Sequence, residues 1–482
     1  MRTRTPSVRP MRPVRGDSVR SFPRLAAVLL AAATVSSVLT GPVVAATGAQ
    51  PVPAAHPIAA GAGEERAVVA ALERRAHPLT TAEPDALAGD LAHLVRMVGK
   101  ADIVGVGEAT HGSKELFQLK DRIFRQLVAA RGFRAFALET SWSSGVLLDR
   151  YVRTGEGDLR RIMREEFQGS YADWNNAEFL RLFAWMRDHN RTVAPDRRLR
   201  VVGNDVNDVN HAQYARVLAW ADAQRPALGV ELRRLYASLL ALPRGMGERV
   251  EALAAKPVTA LETIARDARA AHALLEREPG ADPWTLQEAR VIADTATVYA
   301  LGAGDPDPAR QARANLHRDR AMAAHTVWWQ RWTGDRIVVS AHNAHLGHRT
   351  PYRDTHPRVQ GEFLREAVGE RYLAVATSVH QARYRAFDVN ALRFGVFSTG
   401  PAAPGSNEHL LDRVRHRDYY VDLRRVRRDG AAGAWLDTAR PMFVVPSGYS
   451  GDPADVLRDV ALGRTFDVLV HFRQVAEYGE VG

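Results

Sequence analysis

Four short segments of the chain place carboxylates and imidazoles directly after apolar runs. The segment "VGVGEATHG" ends one run with Glu108 and puts His111 three residues later. Glu139 ends the run in "FALETSW", Asp205 ends the run in "RVVGND", and His342 ends the run in "VVSAHNAH". These side chains can transfer protons or bind cations, so the four segments are candidates for an active site. A single polar residue after a strand is usually a helix cap or a turn residue, so only the four segments together indicate an active site.

The apolar runs themselves predict buried strands of a mostly parallel sheet. They are short, nearly continuous rather than alternating, and separated by segments of helical periodicity, as expected for strands covered on both faces. The predicted strands are residues 102–107, 133–139, 199–205, 335–341, 371–379 and 466–472. Because ligands of open parallel sheets bind beyond the carboxyl ends of the strands, we expect the polar residues to share one crevice.

The order of these elements predicts an α/β fold, with a mostly parallel central sheet flanked by helices and an inserted helical subdomain. Residues 64–208 are predicted to form the first part of the α/β core, residues 209–333 the helical insert, and residues 334–482 the second part of the core. The insert is predicted because the segment between the third and fourth strands has amphipathic helical patterns and no convincing strand.

The N-terminus has the pattern of an export signal. Residues 1–46 contain seven Arg and one Asp, an apolar run from Leu25 to Leu39, and the small residues Val44 and Ala46 at a suitable cleavage site. The apolar run is shorter than the roughly 20 residues of a spanning helix, which favours cleavage over the alternative of a retained membrane anchor. Residues 47–63, rich in Pro and small residues, are predicted to be a disordered leader. We therefore expect a secreted protein.

Charge and composition exclude several classes of function. The 482-residue chain has a net charge of +10, which falls to +4 without the seven Arg and one Asp of residues 1–46. This excess is too small to indicate a nucleic-acid partner, or a stable membrane association after cleavage. The absence of Cys rules out disulfides, thiolate catalysis and thiolate metal sites. No oligomeric state follows from these features.

Two basic residues fall on apolar faces of predicted helices. Lys120 lies on the apolar face of the helix that follows His111, and Arg318 on that of the helix before the fourth strand. A buried cation is costly unless it is paired, so each is expected near the carboxylates of the crevice or near a developing oxyanion. The alternatives are that Lys120 extends toward solvent at the helix end, and that Arg318 forms an ion pair that only attaches its helix to the sheet.

The sequence lacks the usual motifs of two common hydrolase mechanisms. It contains no G-x-S-x-G nucleophile turn and no H-E-x-x-H zinc motif. Hydrolysis by an activated water needs only a His base, a carboxylate that fixes its tautomer, and cations or imidazoles that polarise the carbonyl. Two alternatives are a metal-dependent hydrolase using His111, His342, His345 and a Glu, and an exported protein that only binds a ligand.

Four motifs taken together resemble the erythromycin esterase family. They are "GEATHGSKE", "ALE", "HRDRAMAAHTVWW" and "VVSAHNAHLG", which occur in the family's order, and the resemblance spans residues 65–475. The resemblance implies hydrolysis of a macrolactone or related ester by a water molecule, with a small-molecule substrate as the partner and without a metal or other cofactor. It also implies that His111 is the general base. The residues that complete the site by this resemblance are Glu108, Glu139, Arg318, His342 and His345.

Three further residues complete the predicted site. The resemblance implies an Arg at the position of Lys120. A lysine there keeps the positive charge but lacks the bidentate guanidinium group. Lys120 is included in the predicted catalytic set. Asp205 and Asn343 are predicted to bind the substrate.

Overall fold

The computed structural model describes residues 61–86 and 88–481. The predicted export signal and most of the predicted leader lie outside the described residues, so both stay predictions. Within the described part of the chain, no helix combines the length and the apolar character needed to cross a membrane.

A ten-stranded, mostly parallel sheet forms the centre of the fold. The strands of the described region are β1 (His77–Pro78), β2 (Ile103–Glu108), β3 (Phe133–Ser141), β4 (Arg200–Asp205), β5 (Arg336–His342), β6 (Tyr372–Asp388), β7 (Arg393–Thr399), β8 (Tyr419–Asp422), β9 (Arg440–Phe443), β10 (Gly448–Tyr449), β11 (Leu457–Val460) and β12 (Val468–Val475). The main path of the sheet is β1-β8-β12-β6-β2-β5-β3-β4, and β7 and β10 also pair with β6. Strands β9 and β11 form a separate antiparallel pair.

All six strands predicted from the sequence are present, as β2, β3, β4, β5, β6 and β12. They run parallel to one another in the sheet. Strand β6 is longer than predicted, because its second half continues to Asp388 and pairs with the antiparallel strand β7. Strand β8 and the short β1 add an antiparallel edge. The predicted fold class, an α/β fold with a mostly parallel sheet flanked by helices, is therefore confirmed.

Helices cover both faces of the sheet. They are α1 (Ala62–Glu73), α2 (Ala92–Met97), α3 (Lys114–Arg131), α4 (Trp142–Thr154), α5 (Leu159–Glu166), α6 (Ala177–Thr192), α7 (His211–Gln224), α8 (Pro226–Leu235), α9 (Ala237–Leu240), α10 (Met246–Ala254), α11 (Val258–Glu276), α12 (Pro283–Leu301), α13 (Pro308–Thr333), α14 (Asn343–Leu346), α15 (Gln360–Val368), α16 (Asn407–Leu411), α17 (Leu423–Val426), α18 (Gly430–Asp437) and α19 (Leu462–Thr465). Helices α7 to α13 occupy the chain between β4 and β5, where helical patterns were found in the sequence. The division of the chain into two core parts and a separate subdomain stays a prediction.

The two faces of the sheet belong to two different hydrophobic cores. Ile103 and Ile337 pack in the core that includes α7, α11 and α12, whereas their neighbours Val104 and Val338 pack in the core that includes α3 and α6. Successive residues of a strand point to opposite faces, so a strand buried on both faces needs apolar residues at almost every position. This burial is the physical reason for the nearly continuous apolar runs in the sequence.

Strand register brings the carboxyl ends of the central strands to one edge. Glu108 at the end of β2 lies opposite His342 at the end of β5, and Ser141 of β3 lies opposite Asp205 of β4. Residues that are far apart in the sequence are therefore neighbours at this edge of the sheet.

The loop that carries His111 is held between β6 and the C-terminal residues. Its Gly112 carbonyl accepts hydrogen bonds from the backbone N–H of Arg385, at 3.1 Å, and of Tyr478, at 3.2 Å. A Cβ atom at Gly112 would overlap the backbone of Arg385, so this close approach requires glycine. The loop is thus positioned by backbone contacts, independently of any ligand.

Candidate active site

The carboxyl ends of the strands open into a cavity with about 1340 Å³ of empty space, part of which is open to solvent. Five predicted residues line one part of its wall: His111, Glu139, Arg318, His342 and His345. The opposite part comes from α10, the C-terminal end of α12 and the 3₁₀ segment Gly169–Trp174. The structure therefore brings the strand-end residues together, and helices between β4 and β5 enclose them.

His111 is oriented by the carboxylate of Glu108. Its Nδ1 lies 2.9 Å from Glu108 Oε1, and both side chains are buried. The imidazole ring also makes a T-shaped contact with Trp174, with ring centroids 5.0 Å apart. A carboxylate at Nδ1 favours the tautomer with the proton on that nitrogen, which leaves the lone pair on Nε2 for a group in the cavity.

Lys120 lies behind Glu108 rather than in the cavity wall. Its Nζ forms an ion pair with Glu108 Oε2 and donates to Ser340 Oγ at 3.0 Å and to the Ala341 carbonyl at 3.2 Å. The side chain is fully buried, so the alternative in which it extends toward solvent is wrong. Burial lowers the pKa of Lys120 well below its ordinary value, and the negative charge of Glu139 opposes that shift. Of the two places expected for Lys120, near the carboxylates of the crevice or near a developing oxyanion, the structure shows the first, because Lys120 pairs with Glu108 and does not line the cavity. Its predicted catalytic role stays a prediction.

Arg318 joins two carboxylates at the cavity wall. Its Nε and Nη2 donate to the two oxygens of Asp205, at 2.8 and 2.7 Å, and Nη2 also donates to Glu139 Oε1 at 3.0 Å. The planar guanidinium group suits this bidentate arrangement. Because Arg318 also lines the cavity, it does more than attach its helix to the sheet.

Glu139 is held as a carboxylate by the groups around it. Its Oε2 accepts a hydrogen bond from the His342 backbone N–H at 3.0 Å. Burial alone would raise the pKa of Glu139, but the charges of His345 and Arg318 outweigh burial and lower that pKa far below its ordinary value. A negative charge is therefore fixed in the cavity wall beside the imidazoles.

A second imidazole–carboxylate pair lies on the other side of Glu139. His345 Nδ1 is 2.7 Å from Asp319 Oδ1, and His345 Nε2 is 3.4 Å from both Glu139 Oε1 and Arg318 Nη1. Burial would lower the pKa of His345, but Asp319 and Glu139 raise it above its ordinary value. His345 is thus the imidazole of the cavity with a stabilised positive charge.

His342 has the opposite electrostatic environment. Burial and the nearby charge of His111 lower its pKa well below the ordinary value, so this ring is neutral at pH 7. Its Nδ1 accepts from the Ala344 backbone N–H, and its Nε2 lies 3.4 Å from the Ala109 carbonyl. The ring centroid is 4.8 Å from that of His111. His342 therefore packs against His111 as an uncharged ring.

The two predicted substrate-binding residues lie outside the cavity wall. Asp205 is fully buried and its carboxylate is occupied by Arg318. Asn343 donates to the Thr377 carbonyl at 2.7 Å and accepts from the Thr377 N–H at 3.2 Å, so its amide binds the backbone of β6. Asp205 supports Arg318, which lines the cavity, whereas Asn343 holds the backbone of β6; the contacts of both residues with substrate stay predictions.

Several residues of the site are not among those predicted from the sequence. Asp319 adjoins Arg318 in the quoted "HRDRAM" segment, and this adjacency was the available signal. Trp174 donates from Nε1 to the Glu139 carbonyl at 2.7 Å and lines the cavity together with Tyr171 and His356. Burial lowers the pKa of His356 to about 4, so it adds a second neutral imidazole. No local pattern marks these last three residues, because Tyr171 and Trp174 come from the 3₁₀ segment Gly169–Trp174 and His356 comes from a loop.

Comparisons with known proteins agree with this fold. The family model for erythromycin esterases matches residues 128–475. The chain belongs to the erythromycin esterase family. The matched range begins after β2, so Glu108, His111 and Lys120 precede it.

The chain resembles both curated relatives and proteins of solved structure. An erythromycin esterase type II from Escherichia coli is 26% identical over 129 residues, which are 27% of this chain and 29% of that relative. The chain spans less than a third of the length of the curated relatives that it matches. A solved structure of a Bacillus cereus protein is 28% identical with a TM-score of 0.77, and the match covers 87% of this chain and 99% of that one. A mutant of the erythromycin esterase EreC in its open conformation has the same fold, with 18% identity, a TM-score of 0.61 and coverage of 83% and 97%.

The possible metal ligands of this erythromycin esterase family member differ from the set considered from sequence. Among the described residues, Glu108, His111 and Glu139 have ligand atoms within 4.8 Å of one another. His342 and His345 are not part of that group. Lys120 is already paired with Glu108, and Arg318 with Glu139, so a divalent cation would have to displace or repel these two cations.

Replacing Lys120 by Met should destabilise the protein by about 3–5 kcal/mol, because it leaves the Glu108 charge buried and unpaired. Chemical denaturation measures this change in the free energy of unfolding. Lys114→Met, in the same helix and partly exposed, is the matched control and should change stability by less than about 0.5 kcal/mol. The double variant Glu108→Gln/Lys120→Met should be more stable than Lys120→Met alone. Equal stability of Lys120→Met and wild type would contradict the ion-pair assignment.

Replacing Asp173 by Asn should change the pH dependence of stability. Asp173 is buried beside His111, accepts from Tyr478 Oη at 3.1 Å, and has its pKa raised by burial to about 6. The folded protein therefore holds this proton more tightly than the unfolded chain. The resulting stabilisation is complete below about pH 4 and is lost as the pH rises to about 6.

The measurement compares the free energies of unfolding of wild type and Asp173→Asn at pH 4 and pH 7. Wild type should lose roughly 3 kcal/mol relative to the variant over this interval. Asp188→Asn, at an exposed position of α6, controls for the loss of one carboxylate. If the free energies of unfolding of wild type and Asp173→Asn differ by the same amount at pH 4 and pH 7, Asp173 is ionised in the folded protein at both pH values.

Proposed function

We propose that this protein is a carboxylic-ester hydrolase in which His111 activates a water molecule. The observation that carries the proposal is the Glu108–His111 pair: Glu108 binds Nδ1 at 2.9 Å, and His111 lines the cavity. An imidazole with one nitrogen held by a carboxylate is suited to remove a proton at the other nitrogen. Membership of the erythromycin esterase family supports the same class of reaction.

The proposed reaction is a direct attack of water on the ester. His111 Nε2 takes a proton from water as the water oxygen bonds to the carbonyl carbon. The carbonyl oxygen becomes an oxyanion, which Arg318 and protonated His345 stabilise from the cavity wall. The bond from the carbonyl carbon to the alcohol oxygen then breaks, and His111 returns the proton to the departing alkoxide. No protein group forms a covalent bond in this sequence.

We infer that the substrate is a macrolactone or another bulky ester. The cavity opens to solvent and is lined by residues from several elements, so the part of an ester beyond its reacting group can extend along the wall. Its wall beyond the charged residues includes the apolar side chains of Met246, Val250, Ala254 and Val298. A large ring with an apolar surface would be complementary to this wall, while its ester group reaches the imidazoles.

We further propose that the reaction needs no metal and that the enzyme acts outside the cytoplasm. The cations Lys120 and Arg318 already balance Glu108 and Glu139, which supports the first point. The basic and apolar segments within residues 1–46 support the second. The second candidate function is a metal-dependent hydrolase, favoured by the close grouping of Glu108, His111 and Glu139.

The decisive assay is hydrolysis of macrolides and simple esters by purified protein, with and without a chelator. Activity should persist in chelator, and His111→Ala should lower kcat by about 10²–10⁴-fold because the general base is lost. His416→Ala, outside the cavity, is the control and should keep full activity.

Three outcomes would overturn the proposal. Full activity of His111→Ala would remove the assigned base. A stoichiometric metal that is lost together with activity would favour the metal-dependent alternative. Tight retention of a ligand without turnover of any ester would instead identify a binding protein.

A further inference from the structure

A second cavity lies on the outer side of the helix that carries Arg318. It is a groove between α13 and α15, with about 1430 Å³ of empty space that is largely open to solvent. Arg318 faces the ester cavity, whereas Arg320, two residues later, lines this groove. Each residue of a helix advances by about 100°, so these two arginines point to nearly opposite sides of α13.

The groove has an excess of positive charge. Four arginines line it: Arg290, Arg320, Arg331 and Arg358. Arg358 pairs with Glu366 at 2.7 Å, and Arg290 lies 3.6 Å from Asp294. Within the residues that the structure describes, Arg320 and Arg331 have no ion pair, and both are exposed. The groove therefore presents guanidinium groups that are available to an anionic ligand.

An aromatic wall runs beside these arginines. Trp332 is 44% exposed and is the only tryptophan among the exposed large apolar side chains of the described region. Its ring stacks on Trp328, with centroids 5.0 Å apart and planes at 22°, and contacts Trp284 at 5.5 Å. Such a wall offers a flat apolar surface on one side of the groove, against which the face of a ring can pack.

The spacing of the unpaired arginines indicates an extended ligand. Arg320 and Arg331 are eleven residues apart on one face of α13, which places their Cα atoms about 16 Å apart. A single carboxylate or phosphate group is too small to contact both. A chain with repeated negative charges can contact both while its rings pack against Trp332.

Hydrogen-bond acceptors continue along the same surface. An adjoining depression shares Arg290 and Trp328 with the groove and is also lined by Glu276, Gln287 and Asp294. Carboxylate and amide oxygens accept hydrogen bonds from hydroxyl groups. The sugars of a DNA strand have no free hydroxyl groups for these acceptors, so the surface is less complementary to single-stranded DNA despite its aromatic side chains.

We propose that the groove formed by α13 and α15 is a second, non-catalytic binding site for an acidic oligosaccharide, whose carboxylates contact Arg320 and Arg331 and whose sugar rings pack on Trp332. The repeated negative charges of such a ligand complement the arginines, its ring faces complement Trp332, and its hydroxyl groups complement the adjoining hydrogen-bond acceptors. The site is separate from the ester cavity and does not depend on the proposed function. It would hold the protein on an anionic polysaccharide.

The test is calorimetric titration of the purified protein with oligogalacturonate, with cello-oligosaccharide and with oligo(dT). Oligogalacturonate should bind, and the neutral glycan and oligo(dT) should bind at least about tenfold more weakly. Arg331→Gln and Trp332→Ala should each weaken binding of oligogalacturonate about fivefold or more. Neither residue lines the ester cavity, so ester hydrolysis should be unchanged in both variants.

Arg313→Gln is the matched control, because Arg313 is exposed on α13 and lies outside the groove. It should bind oligogalacturonate as wild type does. Absence of oligogalacturonate binding, equal affinity for the neutral glycan, or tighter binding of oligo(dT) would each overturn the proposal. Wild-type affinity in Arg331→Gln would also overturn it, and this variant keeps the test valid if Trp332→Ala does not fold.

Discussion

The structure of the site depends on pairing each buried carboxylate with a cation or an imidazole. Glu108 faces Lys120 and His111, Glu139 and Asp205 share Arg318, and Asp319 faces His345. An unpaired buried charge is strongly destabilising, so none of these side chains can be removed without affecting its partner. The cations come from helices on opposite faces of the sheet, Lys120 from α3 and Arg318 from α13. The pairing therefore joins both helical layers to the carboxyl edge of the sheet.

This constraint also divides the roles of the imidazoles. His111 has its Nδ1 bound by Glu108, the positive charge of His345 is stabilised by Asp319 and Glu139, and His342 is kept neutral mainly by burial. One cavity thus contains an oriented base, a cation and a neutral ring. The same helix that supplies Arg318 and Asp319 carries the aromatic and basic groove on its outer side, so α13 connects the ester cavity with the proposed glycan site.

The sequence predicted the fold and the convergence of the site well, for a physical reason. Strands buried on both faces need apolar residues at nearly every position, and this pattern is visible without structural information. Their carboxyl ends then meet at one edge by the geometry of parallel sheets, which is why Glu108, Glu139 and His342 were predicted together. The burial of Lys120 and Arg318 followed from their positions on apolar helix faces.

The direct contacts of the site were less predictable, because they depend on elements that are distant in sequence. Asn343 binds the backbone of β6, a contact that its local sequence does not indicate. Asp319 was missed because it lies about 100° from Arg318 around α13, off the apolar stripe. Its burial comes from α15, whose Gln360 N–H donates to Asp319 Oδ1 at 2.8 Å. Helical periodicity alone cannot show that a distant segment covers a polar residue.

The central claim is that Glu108 holds the His111 proton on Nδ1 and leaves Nε2 free to accept a proton from water. The most direct measurement is ¹⁵N NMR of protein labelled at histidine, with the His111 signals identified by their loss in the spectrum of His111→Ala. At a pH where His111 is neutral, we predict the chemical shifts of the tautomer protonated at Nδ1. A His111 ring protonated at Nε2 would contradict the account, because the nitrogen facing the cavity would then be unable to act as the base.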